Sequence, residues 1–575
     1  MITYIDIETN GIEDFAGLSD LKKIHCIAIK CNDPVAGFGP TEIFVDGQFD
    51  EVIGILKRSN EIIGHNILGF DLRAMKKILG WEPSWDQTVS DTMILARLCW
   101  PDIKEDDFIR MDKGFPKNLI GRHSLEAWGH RIGLHKGSCS QWDVYTTEMG
   151  EYCKNDVDVT VGLHYKILAE EPSFTAVRLE HDFAQIIQRQ EEHGIPFNLD
   201  AAAELYSTLV SRKGDLSKKL VDLFPPKEVK LKTKTKYIPF NPGSRLQIAE
   251  GLMNKYKWRP VDFTPDGRPK VDEEVLSGLE YEEAKLLSEY LLVEKRIGQL
   301  GDGKEGWMKL VRNGRIHGRV NTNGAVTGRC SHSSPNLAQV PSVKSPFGKE
   351  CRSLFYAPDG YRMVGVDASG LELRCLAHYM AKYDDGDYVN TVLSGDVHTL
   401  NQKAAGLETR DQAKVFIYAL VYGAGDEKIG KIIGGDRSKG RAIRTRFLSK
   451  VPALKRLKDD IERAVDQRGF LIGLDGRKLK VRSKHSALNT LLQSAGAILV
   501  KQATVLAWRA FNKARIEAYQ VAHVHDEIQF IVKEDNAEEI GQLTVEAIRK
   551  AGQVFKFRCP LDGEYRVGRN WAETH

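Results

Sequence analysis

The sequence feature that most constrains the fold is a pair of apolar strand segments, far apart in the chain, that each lead into an aspartate. Residues 361–367 (YRMVGVD) are predicted to form a buried strand that ends at Asp367. Residues 521–532 (VAHVHDEIQFIV) are predicted to form a hairpin whose two-residue tip is His525 and Asp526. Carboxylates that neighbouring strands bring together repel each other unless cations lie between them, and oxygen-only ligand sets suit Mg²⁺. The two segments therefore predict a magnesium site at a sheet edge, although either aspartate alone would more often be a turn residue.

The segment between these strands predicts a helix with one chemically distinctive face. Thr409 and Gln412 have the spacing of a capping box, and the apolar run behind them is helical. Four residues recur at every fourth position and share one face of that helix: Arg410, Lys414, Tyr418 and Tyr422. Two cations suit phosphates, and two aromatic rings suit a sugar and a base. On an arbitrary helix, an exposed basic stripe beside core tyrosines would be the better interpretation, but the order of the elements favours a nucleoside triphosphate site.

Three motifs in this order resemble the polymerase motifs of the family A DNA polymerases. They are DASGLELR at 367–374, R-x-x-x-K-x-x-x-Y-x-x-x-YG at 410–423 and VHDE at 524–527. The resemblance implies an α+β right-hand polymerase fold with palm, fingers and thumb. It also implies that Asp367 and Asp526 hold two Mg²⁺ ions.

The resemblance assigns further roles around those ions. Glu527 would be an accessory acid of the metal site. Arg410, Lys414 and His398 would contact the incoming triphosphate, and Lys414 would also protonate the departing pyrophosphate. Tyr418 would stack on the incoming nucleotide.

The template side and the DNA contacts follow from the same resemblance. Tyr422 would close the templating side. Glu372 lies where family members block a ribose 2′-hydroxyl, which predicts a deoxynucleotide substrate. The residues implied to contact the primer–template are Arg329, Asn336, Gln339, Asn489, Gln493 and His525. Donors among them can test base-pair geometry without reading sequence, because the minor-groove N3 and O2 acceptors occur on every correct pair.

A second set of chemically distinctive residues lies near the N-terminus. Asp6 and Glu8 occupy positions i and i+2 of a predicted strand and so share one face. Asp71 opens a predicted helix, and Tyr152 and Asp156 lie one helical turn apart. Individually, such residues are most often helix caps, ion-pair partners or core residues.

Jointly, these segments resemble the three motifs of the DnaQ-like 3′→5′ exonucleases, which also lie N-terminal in family A polymerases. The resemblance implies an α/β domain of the RNase H-like class with two more Mg²⁺ ions, and Mn²⁺ is an expected substitute at both sites. The implied metal ligands are Asp6, Glu8, Asp71 and Asp156. Tyr152 would orient the attacking water. Asp158 is an alternative to Asp156, which is preferred because it keeps the Y-x-x-x-D spacing.

The length of 575 residues exceeds what one hydrophobic core usually serves, so several domains are expected. Proline after Glu171 favours a boundary near that residue. The predicted parts are an exonuclease domain at 1–172, a thumb and connecting region at 173–318, the first part of the palm at 319–380, the fingers at 381–480, and the second part of the palm with the C-terminal tail at 481–575.

Charge and composition exclude some classes of protein. The net charge of +3 does not indicate a nucleic-acid partner by itself. Nine cysteines without a C-x-x-C pair argue against a zinc site or a disulfide framework. We expect no membrane association, since no apolar run approaches the length of a membrane span. The strand-like start ITYIDIE, which has no leader, predicts that the protein stays in the host cell cytoplasm.

One basic pattern stands out within this near-neutral chain. A single extended strand would place four lysines on one side: Lys230, Lys232, Lys234 and Lys236. Such a strand could contact DNA phosphates. A solvated edge strand protected by its lysines is an equally good interpretation.

The complete motif set and the ending GRNWAETH most resemble the replicative polymerases of short-tailed (podovirus) phages. The implied function is template-directed synthesis of viral DNA with 3′→5′ proofreading. The expected partners are primer–template DNA, dNTPs and possible phage helicase–primase and single-strand-binding proteins, and the expected state is a monomer. The segment from Pro196 to Phe240 is too short for the long thumb insertion that binds thioredoxin in some members, so thioredoxin is not expected to be required.

Three alternatives remain at this point. A bacterial-type repair DNA polymerase would use the same chemistry. A single-subunit RNA polymerase shares related motifs, but the exonuclease set and Glu372 count against it. A non-enzymatic DNA-binding protein would have lost the metal-binding acids, which are all present.

Overall fold

The computed structural model describes residues 1–11, 21–84, 86–112, 114–135, 137–230 and 235–575. Its N-terminal part is an α/β unit. The strands are β1 (Ile2–Thr9), β2 (Ile24–Asp33), β3 (Gly37–Val45), β4 (Glu61–Gly64) and β5 (Thr88–Asp91). The helices are α1 (Phe49–Arg58), α2 (Asp71–Leu79), α3 (Thr92–Cys99), α4 (Ile103–Met111), α5 (Leu125–Ile132) and α6 (Thr147–Leu168).

These strands form one mixed sheet in the order β3-β2-β1-β4-β5. The central strand β1 runs antiparallel to β2 and parallel to β4, and α6 packs against it. Ile5 and Ile7 on β1 are buried, whereas Asp6 and Glu8 are only half-buried because successive side chains of a strand alternate between its two faces. The predicted strand that carries Asp6 and Glu8 is confirmed as β1, and the predicted helix that Asp71 opens is confirmed as α2.

The middle of the chain is mainly helical. Its helices are α7 (Phe174–His193), α8 (Leu199–Leu223), α9 (Arg245–Tyr256), α10 (Glu273–Ser277), α11 (Glu282–Ile297), α12 (Trp307–Leu310) and α13 (Gly348–Ser353). Its short strands are β6 (Ile195–Pro196), β7 (Lys227–Lys230), β8 (Thr235–Ile238), β9 (Val311–Arg312), β10 (Arg315–Ile316), β11 (Arg319–Asn321) and β12 (Ser331–Ser333).

The single extended strand predicted from Lys230 to Lys236 is wrong. β7 and β8 are two strands of an antiparallel pair, in which Val229 lies opposite Lys236 and Lys230 lies opposite Thr235. Directly opposed residues share a face, so Lys230 and Lys236 lie on opposite faces of the pair. Strand pairing satisfies backbone groups that a lone strand would leave unpaired. Lys232 and Lys234 lie outside the described residues.

The C-terminal half contains a second sheet and a large helical block. The strands are β13 (Tyr361–Ala368), β14 (Phe470–Ile472), β15 (Lys478–Lys480), β16 (Ala518–Val524), β17 (Glu527–Lys533) and β18 (Gly563–Gly568). The helices are α14 (Leu371–Met380), α15 (Asp387–Leu393), α16 (Val397–Ala405), α17 (Arg410–Val421), α18 (Asp426–Ile432), α19 (Arg437–Lys450), α20 (Pro452–Arg468), α21 (Ala487–Ala514) and α22 (Ala537–Val554).

The second sheet has the strand order β16-β17-β13-β18 and is antiparallel throughout. Residues far apart in sequence therefore lie side by side. β16 and β17 form the predicted hairpin with His525 and Asp526 at its tip. The helices α14 to α20 lie between β13 and β14 in the chain. Helix α22 packs against β13 and β18 and covers one face of this sheet.

The stretch Lys484–Ala514, which includes α21, is long and apolar enough to cross a membrane by length and composition alone. However, 89% of the most apolar 18-residue part of this stretch is buried inside the protein. Helix α21 packs against α7, α14 and α22, as a core helix does.

Candidate functional site

The edge of the second sheet brings the two predicted polymerase aspartates together. Asp367 on β13 lies directly opposite Glu527 on β17. The backbone N–H of Ala368 donates to the carbonyl oxygen of Asp526 at 3.2 Å, which ties the hairpin tip to the end of β13. His525 has a φ of +58°, the left-handed conformation that a two-residue tip of this kind requires.

The pKa values of both aspartates are raised. Asp367 is open to solvent on one side, but the surrounding protein and then the charges of Asp526 and Glu527 raise its pKa to about 7. Burial also raises the pKa of Asp526. A crowded set of oxygen donors with raised pKa values fits divalent cations of the Mg²⁺ type.

Glu527 differs from the two aspartates because its oxygens already have partners. It is buried and accepts hydrogen bonds from Gln529 at 2.8 Å, from Arg352 at 3.4 Å and from the indole N–H of Trp571, and His575 Nδ1 lies 3.0 Å from its other oxygen. Burial alone would raise its pKa, but His575 and Arg352 lower it overall. No sequence pattern indicates that the C-terminal residues fold back onto this glutamate.

Helix α17 has the face that the sequence predicts. Thr409 and Gln412 form the complete capping box. Arg410 and Lys414 are exposed in the first turns, and Tyr418 is half-buried.

Helix α16 adds His398 to this face. Burial and then the nearby charges of Arg410 and Lys414 lower the pKa of His398. The ring centroids of His398 and Tyr418 are 6.4 Å apart. The structure thus brings together the residues predicted to bind a triphosphate.

Tyr422, the residue that follows α17, contacts Glu372, the residue predicted to select the sugar. The Tyr422 hydroxyl donates to Oε1 of Glu372, and Nη2 of Arg329 lies 3.9 Å from the same oxygen. A cavity of about 300 Å³ separates this group from the sheet edge. Its lining includes Arg329, Glu372, Tyr422, His525 and Asp526. Five residues singled out for different reasons in the sequence therefore surround one space.

Two of the other predicted DNA-contacting residues lie on a helix that lines this cavity, and two lie at a short 3₁₀ turn. Asn489 and Gln493 are half-buried and one turn apart on α21, which also lines the cavity through Leu492. Asn336 is half-buried before a short 3₁₀ turn, and Gln339, which ends that turn, is exposed.

The N-terminal sheet carries a second cluster of acids. The carboxylate oxygens of Asp6 and Glu8 and the Sγ of Cys153 all lie within 4.8 Å of one another. The Cys153 thiol donates to the backbone carbonyl oxygen of Asp6 at 3.4 Å. Sequence reasoning missed Cys153, because a lone buried cysteine in a helix is usually a core residue.

Asp71, the first residue of α2, is a further acid beside this cluster. It is buried, and burial followed by the charge of Asp6 raises its pKa well above the usual range. The charge of Asp6 acts on the Asp71 carboxyl, so the two carboxyl groups lie close to each other. Together with Glu8 they form an oxygen-rich set that fits divalent cations.

The structure distinguishes between the two candidates for the fourth acid. Asp156 is buried on α6, the helix that packs against β1. Asp158 instead accepts hydrogen bonds from Lys30 at 2.8 Å and Thr41 at 2.9 Å, on β2 and β3. These contacts support Asp156 as the ligand. Tyr152, one turn before it, is half-buried with its ring 5.4 Å from that of Trp142.

Asp91 is a further acid beside this cluster that sequence reasoning missed. Its carboxylate accepts the backbone N–H groups of Asn66 and Leu68, in the segment that leads to Asp71. Its own N–H donates to Nε2 of His181 on α7 at 2.9 Å. The aspartate before α3 has the pattern of an ordinary helix cap, so the sequence offers no signal of this second role.

Comparison with known proteins now identifies the chain. The family model of DNA polymerase family A matches residues 213–573. The chain belongs to DNA polymerase family A. Two phage proteins, each named DNA-directed DNA polymerase, are 34% identical over 99% of this chain and 99% of their own length, and they come from Enterobacteria phage T3 and Escherichia phage T7. DNA polymerase I of Pseudomonas aeruginosa is 27% identical over 74% of this chain and 48% of its own length.

A solved structure shares the fold of this family A polymerase. It is the polymerase domain of Pol1 from M. smegmatis in complex with a DNA primer-template and dNTP, with a TM-score of 0.78 and 18% identity over 99% of this chain and 96% of that chain. The family A fold and the resemblance to phage polymerases are thus confirmed. The family match begins at residue 213, so the exonuclease domain stays a prediction.

Proposed function

We propose that this family A polymerase copies a DNA template for viral DNA replication and removes wrongly added nucleotides with a 3′→5′ exonuclease. The observation that carries the proposal is the cavity between the sheet edge and α17. Asp526 lines it from the sheet, and Glu372 and Tyr422 line it from the opposite side. The identity to the DNA-directed DNA polymerases of phages T3 and T7 supports the same conclusion.

At the polymerase site, Asp367 and Asp526 would hold two Mg²⁺ ions, which when bound stabilise the attacking and leaving oxygens of phosphoryl transfer. Arg410 and Lys414 are exposed cations that would bind the triphosphate by charge-assisted hydrogen bonds. Lys414 also carries a proton that it can donate to the departing pyrophosphate. Tyr418 provides an aromatic face for the incoming nucleotide.

At the exonuclease site, Asp6, Glu8, Asp71 and Asp156 would hold the corresponding ions. Tyr152, one turn from Asp156, would orient the attacking water through its hydroxyl. The two sites lie in different sheets, so each one can be inactivated without direct damage to the other.

A single assay tests the proposed replication function: extension of a primer on a long single strand, with and without added thioredoxin. We expect long dNTP-dependent products whose length thioredoxin does not change. The relatives align with this chain over 712 positions, more than its 575 residues, so they carry insertions that it lacks. The described part between α8 and α9 is a short strand pair. Products that lengthen greatly with thioredoxin would contradict the thumb interpretation, and an absence of synthesis would contradict the polymerase function.

Replacement of Glu372 by alanine tests sugar selection and the RNA polymerase alternative. Wild-type enzyme should strongly prefer dNTPs, because the Glu372 side chain, which lines the cavity, would block a ribose 2′-hydroxyl. Without it, we expect preference for dNTP over rNTP to fall by roughly 10- to 100-fold, or about 1.4–2.7 kcal/mol. The measurement is kcat/KM for dATP and ATP on one primed template. Efficient ATP use by the wild type would instead favour the RNA polymerase alternative.

A further inference from the structure

Beneath the cavity lies a buried group of four charged side chains, here called the buried charge cluster. Its members are Glu180 on α7, Asp475 and Arg477 between β14 and β15, and Lys501 on α21. None of these side chains is more than 3% exposed. Two acids face two cations, so the cluster is neutral as a whole. Residues from three distant parts of the chain meet here.

Glu180 is shared by both cations. It accepts from Arg477 Nη2 at 2.6 Å and from Lys501 Nζ at 2.7 and 2.9 Å. Asp475 binds only Arg477, with contacts of 2.6 to 3.0 Å. Burial alone would lower the pKa of Arg477, but Glu180 and Asp475 raise it overall, so the guanidinium stays charged. Without Glu180, the buried cations Arg477 and Lys501 would have the single carboxylate of Asp475 to balance their two charges.

The same two cations hold the loop of residues 322–330, which connects β11 and β12. Lys501 Nζ donates to the carbonyl oxygen of Thr322 at 2.8 Å and to Oδ1 of Asn323 at 3.3 Å. Arg477 Nη1 donates to the same Asn323 oxygen at 3.3 Å. Gly328 has a φ of +74°, and a Cβ atom there would collide with the Arg477 guanidinium. The guanidinium therefore lies directly against the loop.

The end of this loop and Lys501 itself line the polymerase cavity. Arg329, the residue after Gly328, lines the cavity beside Asp526, and its guanidinium lies 3.9 Å from Glu372. Burial and then the charge of Arg329 lower the pKa of His525. Arg477 and Lys501 thus hold the same loop that presents Arg329 to the cavity.

We propose that Glu180 is a positioning residue for Arg329 in nucleotide insertion. Glu180 touches neither nucleotide nor metal ligand, since it is fully buried below the loop. It neutralises Arg477 and Lys501 and so keeps both cations in place under residues 322–328. The proposal rests on the proposed function and on the predicted contact of Arg329 with the primer–template. It assigns a polymerase role to α7. His181, which follows Glu180 on this helix, contacts the N-terminal α/β unit.

A double-mutant cycle between Glu180→Gln and Arg329→Ala tests this link. We measure kcat and KM for insertion of one dNTP on a primed template, together with the melting temperature of each variant. Arg329→Ala should lower kcat/KM by at least tenfold, and Glu180→Gln by at least fivefold. If Glu180 acts through Arg329, the double variant should lie within twofold of Arg329→Ala alone.

Asp182→Asn is the matched control, because it removes one carboxylate from the same helix. Asp182 pairs with Arg509 at the surface and does not contact the loop. We expect its kcat/KM to lie within twofold of the wild type.

Asn323→Ala provides a second variant in case Glu180→Gln does not fold. It removes the loop's acceptor for both cations and leaves the four charges of the cluster intact. It should show the same non-additivity with Arg329→Ala. Three results would each overturn the proposal. The effects of the two substitutions could multiply in the double variants, or the melting temperature could fall while kcat/KM is unchanged. The third is an Arg329→Ala variant as active as the wild type. A wild type that inserts no dNTP would contradict the polymerase function itself.

Discussion

Replacement of Asp526 by alanine is expected to lower kcat for nucleotide insertion by about 10⁴-fold, which corresponds to roughly 5.5 kcal/mol of lost transition-state stabilisation. The reason is that the proposed two-ion site would lose one of its two aspartates, while Glu527 already has four partners in the fold. Single-turnover insertion on a primed template measures the effect. Digestion of single-stranded DNA from the 3′ end should continue at the wild-type rate, since the N-terminal sheet is unchanged.

The loss in Asp526→Ala should not come from unfolding. Burial raises the pKa of Asp526, so at neutral pH its charge destabilises the metal-free fold, and its removal should not lower the melting temperature. Asp535→Ala makes the same chemical change at an exposed position shortly after the same hairpin. This control should keep kcat within twofold of the wild type. Substantial synthesis by Asp526→Ala would show that the metal site has been assigned wrongly.

Replacement of both Asp6 and Glu8 by alanine is expected to lower the rate of 3′→5′ digestion by about 10³-fold or more, roughly 4 kcal/mol, because half of the proposed ligand set is lost. Insertion of correct dNTPs should keep its wild-type rate. Primers with a mismatched 3′ end, which the wild type should trim before extension, should remain untrimmed. Gel analysis of a labelled mismatched primer distinguishes trimming from extension.

A comparison of Asp156→Ala with Asp158→Ala provides the control for this site. The first should lose digestion, and the second should retain it, because Asp158 is bound to Lys30 and Thr41 away from the cluster. Loss of that partly exposed ion pair should cost no more than about 1 kcal/mol of stability. Loss of digestion in Asp158→Ala alone would reverse the ligand assignment. If polymerase and digestion vanish together in a folded Asp6→Ala, Glu8→Ala protein, the two-site interpretation is wrong.

Local pattern in the sequence was enough for the features that depend on neighbours along the chain. The capping box at Thr409 and Gln412, the cationic and aromatic face of α17, and the hairpin tip at His525 and Asp526 occur as predicted. Each follows from helical or strand periodicity and from turn geometry, which act over a few residues. The family resemblance added that Asp367 and Asp526 meet, and the strand register places them together.

The sequence failed where a partner comes from a distant segment. Four lysines with strand spacing predicted one extended strand, but β7 and β8 pair with each other, and the described lysines point to opposite faces. Cys153 beside Asp6 and the contact of Asp91 with His181 are equally invisible in a linear pattern. Neither a cysteine nor a capping aspartate has a spacing that marks such a role.

The sequence by itself determined the family, the two sets of acids and the cationic and aromatic face of α17, because these are encoded in side-chain identity and short-range spacing. Only the tertiary structure decided which acids remain available as ligands of the proposed metal ions. Glu527 is bound by Arg352, Trp571 and His575, whereas Asp367 keeps a pKa raised to about 7. It also decided that Glu180 neutralises Arg477 and Lys501 beneath the Arg329 loop. Burial makes these long-range charge contacts obligatory, since a buried charge without a partner is strongly unfavourable, and burial is a property of the whole fold.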